Sequence, residues 1–496
     1  MKIRTISLLL ILLLTAYTAS ADENSSASAH REDRSVIYRP DEGIPGHAPD
    51  IDLPIPAQPG PHLLIDDYLI AQSTNIERVV IQPQRDTAIP NPIVTGPEDR
   101  CFQPYLSVIR DPQTGRYRIW YGAWRDDKNT GRSHLATMES EEGIHFIRPP
   151  QLCETPEIQF GSSVLDRGPK HPDPSARYVY SYWLDGGFRL LISADGIRWR
   201  PLTEGVIIPH DHDITGLSWD PIRQVYVATI STYITGAHWS GQRRTTMMSF
   251  SNDLLHWEKP WFVLTPSDRW DDGQTQFYAM DGYLARGPLR IGMVKILRDD
   301  LRATGTEEGR FGRAHTSLAW SRDGRTWVRD RTEFFEPDDN PAAWDHAHAW
   351  IDDQLIVRDE VYLYYGGYQQ GHKMNRFDER QIGLVKMPLD RYVARRAVGT
   401  ESGTLKTVLI ALTGPVNTLR VNVNASGGQL RAQIINADTG QALPGLTFSD
   451  CEPITVDSLH APVHWRKGDL SAAAGKHIQV EFEIMKADLF AFEFIQ

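Results

Sequence analysis

Ser193-Ala194-Asp195-Gly196-Ile197-Arg198-Trp199 is one copy of a short pattern that recurs along the chain. It returns as Ser140-Glu141-Glu142-Gly143-Ile144-His145-Phe146, as Ser251-Asn252-Asp253-Leu254-Leu255-His256-Trp257, and as Ser321-Arg322-Asp323-Gly324-Arg325-Thr326-Trp327. The copies start 53, 58 and 70 residues apart, a period that belongs to repeat architectures. Each has the chemistry of a tight turn. The serine hydroxyl and the carboxylate can hold backbone N–H groups, glycine accepts positive φ, and the aromatic returns the chain to a sheet. An apolar strand precedes each copy, such as His134 to Met138 or Thr245 to Phe250.

A second repeat lies upstream of the first. Strand, Asp-containing turn and strand run from Leu106 to Tyr121 around Asp111-Pro112, and from Gly216 to Ile230 around Asp220-Pro221. Looser copies cover 162–182, 277–294 and 349–365. Combining the repeats gives five units of four strands each, the pattern of an all-β, five-bladed β-propeller. The blades are expected at 100–150, 155–203, 210–262, 270–330 and 345–395, with the 62–85 segment donating the outer strand of the fifth. Near residue 400 the pattern changes to shorter strands between Gly- and Asn-rich turns, which predicts a C-terminal β-sandwich. The expected division is a signal peptide over 1–21, a mobile Ser-rich leader over 22–60, the propeller over 61–398 and the sandwich over 399–496.

The 496 residues are too many for one ordinary core, and 41% apolar residues suffice to fill two. A formal charge of −12 with no basic run argues against nucleic acid or an anionic membrane surface as partner. Lys2 and Arg4, the apolar run Ile6 to Leu14, and the small residues Ala19-Ser20-Ala21 read as a cleavable export signal. The run is too short to favour a membrane span, so the expected location is the periplasm or the exterior. Three cysteines, Cys101, Cys153 and Cys451, make no disulfide framework. Cys101 and Cys153 can pair only if neighbouring strands bring them together, and three separate buried thiols are the favoured reading. No Cys/His spacing resembles a zinc site.

In a propeller, the starts of the inner strands and the loops between second and third strands share one face. Those loops are long here in four units, at 122–132, 231–244, 297–313 and 366–381, whereas the repeated turns on the opposite face are short and read as structural. The residues leading into the inner strands are polar: Arg100 and Gln103, Glu157 and Gln159, His210 to Asp213, Asp271 to Gln276, and Asp345 to His348. Cleaving a glycosidic bond needs one carboxyl as acid and another as base or nucleophile. Asp213, Asp272, Glu157 and Asp345 are the catalytic candidates, each from a different unit, with Asp213 and Asp272 favoured as the core pair and Glu157 as an acid. Any one of them can instead cap a turn. For substrate contact the candidates are Arg100, Trp124, Arg125, His212, Trp239, Gln276, Tyr278, His348 and His372. Arg100, Arg125, Arg244 and Arg313 also suit a carboxylate or sulfate. No cofactor is expected, although His210-Asp211-His212-Asp213 has the residue types for a divalent ion at the axis.

The Ser-x-Asp-Gly-x-x-Trp turns, Asp111-Pro112 followed by Tyr117-Arg118-Ile119-Trp120-Tyr121, and Ile382-Gly383-Leu384 with Asp390-Arg391-Tyr392 resemble the five-bladed glycosidase propellers. These are the invertase and levanase family 32 and the arabinanase and xylosidase family 43. The resemblance covers roughly 60–395 and extends to exported bacterial relatives whose C-terminal sandwich carries a segment similar to Asp450-Cys451-Glu452-Pro453-Ile454. It implies a glycoside hydrolase acting on a poly- or oligosaccharide. The invertase nucleophile segment is absent, and Arg110-Asp111-Pro112 falls on the far-face turn, so no catalytic role passes to Asp111. Two other functions fit the pattern: a glycan-binding propeller without catalysis, and a sialidase-like enzyme. The sialidase turn has one more residue between Asp and Gly, and a sixth repeat would be needed.

Overall fold

The computed structural model describes residues 53–125, 133–156, 158, 160–235, 242–266, 271, 275–301, 303, 312–372 and 374–495. The expected signal peptide and most of the expected leader lie outside them. The described chain is almost entirely β, with a few short helical turns. No described helix is long and apolar enough to cross a membrane.

Between residues 101 and 388 the strands form successive antiparallel meanders. The first comprises Cys101–Arg110, Tyr117–Ala123, His134–Ser140 and Gln151–Leu152. The second comprises Phe160–Asp166, Tyr178–Trp183, Gly187–Ser193 and Arg200–Pro201. Thr215–Asp220, Val225–Thr235, Gln242–Ser251 and Trp261–Leu264 make the third, and Thr275–Arg286, Leu289–Arg298, Arg313–Ser321 and Val328–Phe335 the fourth. His348–Val357, Glu360–Tyr368 and Gln381–Pro388 make the fifth. Middle strands such as Leu289–Arg298 are buried along nearly their whole length, because neighbours cover both faces.

The first strand of each meander touches the first strand of the next, and that of the fifth touches that of the first. Small hydroxyls join these inner strands. Ser107 Oγ accepts from Val164 N at 2.9 Å and Ser163 Oγ accepts from Leu217 N at 3.0 Å, while Thr316 Oγ1, on the third strand of the fourth meander, accepts from Ile351 N of the fifth at 2.8 Å. A larger side chain at these positions would push the strands apart.

The repeated turns carry one hydrogen-bond scheme. Ser140, Ser193, Ser251 and Ser321 each accept, at 2.8–2.9 Å, from the backbone N–H three residues on. The acid two residues after the serine caps the following amides: Glu142 those of Ile144 and His145, Asp195 those of Ile197 and Arg198, Asp253 those of Leu255 and His256, Asp323 those of Arg325 and Thr326. Hydrogen bonds to the charged form lower the carboxyl pKa in all four turns, against the opposing effect of burial. The tryptophans close the motif: Trp199, Trp257 and Trp327 donate to the carbonyl three residues back. The serine, the acid and the tryptophan side chains of the motif thus serve the turn itself.

The two ends of the chain meet in two further sheets. One joins Ile55–Pro56 and Ile70–Thr74 to Gly403–Thr407, Ile410–Ala411, Gln429–Asn436, Gln441–Ala442 and His477–Met485. The other joins His62–Leu63 and Ile76–Val80 to Val393–Ala397, Thr418–Asn424, Asp457–Pro462 and Asp488–Ile495. They enclose a shared core that includes Leu405, Val421, Val480, Phe482, Leu489 and Phe492.

This pairing differs from the expected use of 62–85 as an outer strand. Residues 62–80 are bound into the C-terminal sheets, and the segment after them flanks the fifth meander instead. Gln84 and Val94 bridge to Lys386 and Ile382, and Asn91 exchanges hydrogen bonds with the Leu384 backbone at 2.8 Å. Ile76–Val80 pairs with Val393–Ala397, burying Ile76 and Ala397 against the C-terminal core and Val80 and Val393 against the fifth meander. All three cysteines are free and buried, and burial pushes the Cys153 thiol up to about 12.

Candidate active site

The segment before the third inner strand carries the most connected group of functional side chains. Ile214 is buried and fixes the chain there, so His212 points inward while Asp213 keeps about a quarter of its side chain exposed. His212 Nδ1 lies 2.7 Å from Ser231 Oγ, and that hydroxyl donates to the Tyr278 carbonyl at 2.9 Å. Ser231 therefore accepts from His212, which places the neutral ring's proton on Nδ1. His212 Nε2 then faces two groups: it accepts from Arg244 Nε at 2.8 Å and lies 3.1 Å from Asp213 Oδ1.

Arg244 is the hub of this arrangement. Its backbone N–H donates to Gln276 Oε1 at 2.7 Å, and its guanidinium lies over the Tyr278 and Tyr233 rings at 4.7 and 5.4 Å. Burial works against the cation, but Tyr278, Tyr233, Asp299 and Asp213 around it raise its pKa above the usual value.

Tyr278 links this group to the fifth meander. Its ring stacks on Trp350 at 4.8 Å, meets His212 edge-on at 5.0 Å, and its hydroxyl lies 3.2 Å from His372 Nε2. Burial first, then the Asp213 charge, raises the pKa of the Tyr278 phenol. His348 packs 4.6 Å from Tyr368, 4.8 Å from Trp350 and 5.8 Å from His372. Three strand systems thus contribute to one aromatic wall with a carboxylate and an arginine at its edge. Such a wall suits the flat, apolar faces of a sugar ring, and the polar groups suit its hydroxyls.

Among the predicted residues, His212, Asp213, Gln276, Tyr278, His348 and His372 are brought together here. Arg100 and Trp124 form an adjoining pair, with the guanidinium 5.2 Å from the indole and Trp124 edge-on to Phe377 at 6.5 Å. Phe377 stacks on Phe102 at 5.0 Å, which carries the pair to the same wall. Arg125 is exposed beside Trp124. Asp345 stands elsewhere. Its Oδ2 accepts from Arg85 Nε and Nη2 at 2.9 and 2.7 Å and from the Tyr365 hydroxyl at 2.9 Å. Glu157, Asp272 and Trp239 lie outside the described residues. The divalent-ion reading of 210–213 meets other bonding: His210 Nδ1 lies 2.9 Å from the Ser231 carbonyl, and Asp211 holds Thr232 and the Tyr233 amide. Among the described residues no three His, Cys, Asp or Glu side chains are placed to hold a metal.

Sequence reading passed over Tyr105, Trp350 and Tyr368, because inside strands an aromatic reads as core, and over Asp299 and Arg380, which sit among other charged residues at the strand ends. It also passed over an axial charge cluster. A cavity of about 260 Å³ lies among the inner strands, lined in part by Ser107, Ser163, Gly216, Asp281, Asp352 and Asp353. Lys295, fully buried, binds Asp281 Oδ2 at 2.7 Å and pairs with Asp352, while Asp353 accepts from the Val108 amide at 2.7 Å. Burial, reinforced by Asp281, pushes the Asp353 carboxyl up to about 7 despite these amides and Lys295.

No family model and no curated protein matches the chain. Solved structures that resemble it are glycoside hydrolases and related enzymes. A Bombyx mori family 32 β-fructofuranosidase aligns over 82% of this chain and 93% of its own at 12% identity and a TM-score of 0.42. A Bacillus subtilis family 43 arabinoxylan arabinofuranohydrolase, solved with cellotetraose, covers 80% and 96% at 9% identity and a TM-score of 0.38. A protein described as a glycoside hydrolase covers 60% and 93% at 13% identity and a TM-score of 0.40. At these values the likeness assigns neither a residue nor a substrate.

Proposed function

We propose that this chain is an exported glycan-cleaving enzyme whose five meanders are the blades of one propeller, followed by a β-sandwich. One observation carries the reading: Asp213, partly open to solvent, lies 3.1 Å from a buried imidazole that Arg244 also contacts, at the edge of an aromatic wall. The contacts that run from each inner strand to the next support the closed ring. In this reading the sugar lies on Tyr278 and its neighbours. Asp213 acts as base or nucleophile, and the nearby Arg244 cation favours its charged form. The second carboxyl comes from Asp272 or Glu157 or from Asp299, which lies near Arg244. Asp345, tied to Arg85, holds structure.

A second reading is favoured by the same geometry: hydrolysis needs two carboxyls, and a single carboxylate with this many rings also describes a glycan-binding site. Incubating the mature protein with plant, algal and host polysaccharides and measuring released sugars separates the two. Asp213→Asn is expected to lower turnover by about 10²-fold or more while substrate still binds. Activity that survives this substitution would end the proposal for Asp213. Binding without turnover in the wild type would establish the glycan-binding reading.

A further inference from the structure

Among the described residues, two arginines near the aromatic wall have no negative partner. Arg380 is 4% exposed, its Nη1 donates to the Phe102 carbonyl at 2.9 Å, and its Nε has no hydrogen-bond acceptor among the described residues. Its guanidinium lies 5.3 Å from the Tyr368 ring, which itself packs against His348. Arg376, half-buried one turn earlier, makes no ion pair or hydrogen bond among the described residues. Arg380 and burial both disfavour its charge, and its surroundings include the Tyr278, Tyr368 and Tyr105 phenols.

The nearby carboxylates among the described residues face other neighbours. Asp213 faces His212. Asp99 accepts from Arg148 and the Thr95 amide, both at 2.8 Å. Glu379, next to Arg380 in sequence, turns to the Gln370 amide at 3.0 Å and to Asn375 at 2.9 Å. A buried guanidinium without a counter-ion is costly, and contact with aromatic faces offsets only part of the cost. Two of them side by side form a receptor for an oxyanion.

We propose that the sugar bound at this site carries an anionic substituent, a uronate carboxylate or a sulfate ester, held by Arg376 and Arg380. The proposal rests on the glycan-cleaving reading for the sugar itself and adds the class of sugar. The wall supplies stacking, and the two guanidiniums supply the charge selectivity that neutral sugars cannot use.

The test is calorimetric titration of the mature protein with three probes: trigalacturonate, a κ-carrageenan tetrasaccharide and neutral cellotriose. One of the anionic probes is expected to bind at least about tenfold more tightly than cellotriose, with the advantage shrinking as salt rises. Preference for trigalacturonate assigns a carboxylate, and preference for the carrageenan fragment assigns a sulfate. Arg376→Met should remove about tenfold or more of that affinity, and Arg376→Lys should restore part of it. Arg376 is half-exposed, so both variants are expected to fold, and a thermal melt of each checks this. Equal binding of neutral and anionic probes, no binding of either anionic probe at millimolar concentration, or an unaffected Arg376→Met would each overturn the proposal. Turnover of a neutral glycan that depends on Asp213 would overturn it and leave the glycan-cleaving reading standing. Anion-selective binding without turnover would do the reverse.

Discussion

Asp345→Asn separates a structural carboxylate from a chemical one. Asp345 Oδ2 receives three hydrogen bonds, two from Arg85 and one from Tyr365, and its side chain is 2% exposed. The substitution keeps the shape and removes the charge. Breaking a buried pair by altering one partner costs about 3–5 kcal/mol. Arg85 is 31% exposed and can rehydrate, so the loss here is expected nearer about 2 kcal/mol. Unfolding entropy of about 2.1 cal/mol/K per residue, over roughly 440 residues unfolding together, makes this a fall of about 2 °C in Tm. Scanning calorimetry on Asp345→Asn, Arg85→Met and the double variant reads the effect. Each single variant should melt about 2 °C lower, and the double variant no lower than the worse single one, since both break the same contact. Turnover per folded molecule should stay within about threefold of the wild type. An unchanged Tm together with a loss of about 10²-fold in turnover would refute the reasoning and place Asp345 in the chemistry.

Two further predictions concern the axis and the turns. Asp353 has a raised carboxyl pKa of about 7 in the folded chain, so between about pH 4 and 7 the native state holds a proton that the unfolded chain has released. Stability should therefore fall as pH rises through that window, by at most about 1.4 kcal/mol per pH unit, and then level off. Urea midpoints at pH 5 and 7.5 should show a smaller decline for Asp353→Asn, and equal declines would refute it. At Gly196 the φ is +72° and an added Cβ would meet Trp120 Cζ2 at 2.8 Å, whereas Gly168, at φ +91°, has nothing within 4 Å. Gly196→Ala should lose about 2–4 kcal/mol in urea unfolding and Gly168→Ala only about 1–2, and equal losses would show that the Trp120 contact does not matter.

The repeated turns were legible because their chemistry is local. Ser193, Asp195, Gly196 and Trp199 satisfy one another within seven residues, so spacing along the chain carried the whole signal. His212, Asp213, Gln276, Tyr278 and His348 were legible for a related reason: each lies just before or near the start of an inner strand, and strand starts can be counted, whereas His372 was legible as part of the long loop after the second strand of the fifth unit. Asp345 has the same position and residue type but a different partner, Arg85, which lies 260 residues away in sequence. Nothing near Asp345 announces that partner.

By itself, the sequence determined the β class, the period of the turns and the polar character of the residues leading into the inner strands. Each of these depends on residues a few positions apart, whose geometry the backbone fixes. Tertiary structure alone decided that residues 62–80 join the C-terminal sheets and that Asp345 pairs with Arg85. It also decided that Arg380 comes to the aromatic wall without a carboxylate partner among the described residues, and that Lys295 meets Asp281 and Asp352 at the axis. The physical reason is that charge pairing and burial depend on distance in space, and sheet closure sets those distances between segments that no local pattern connects.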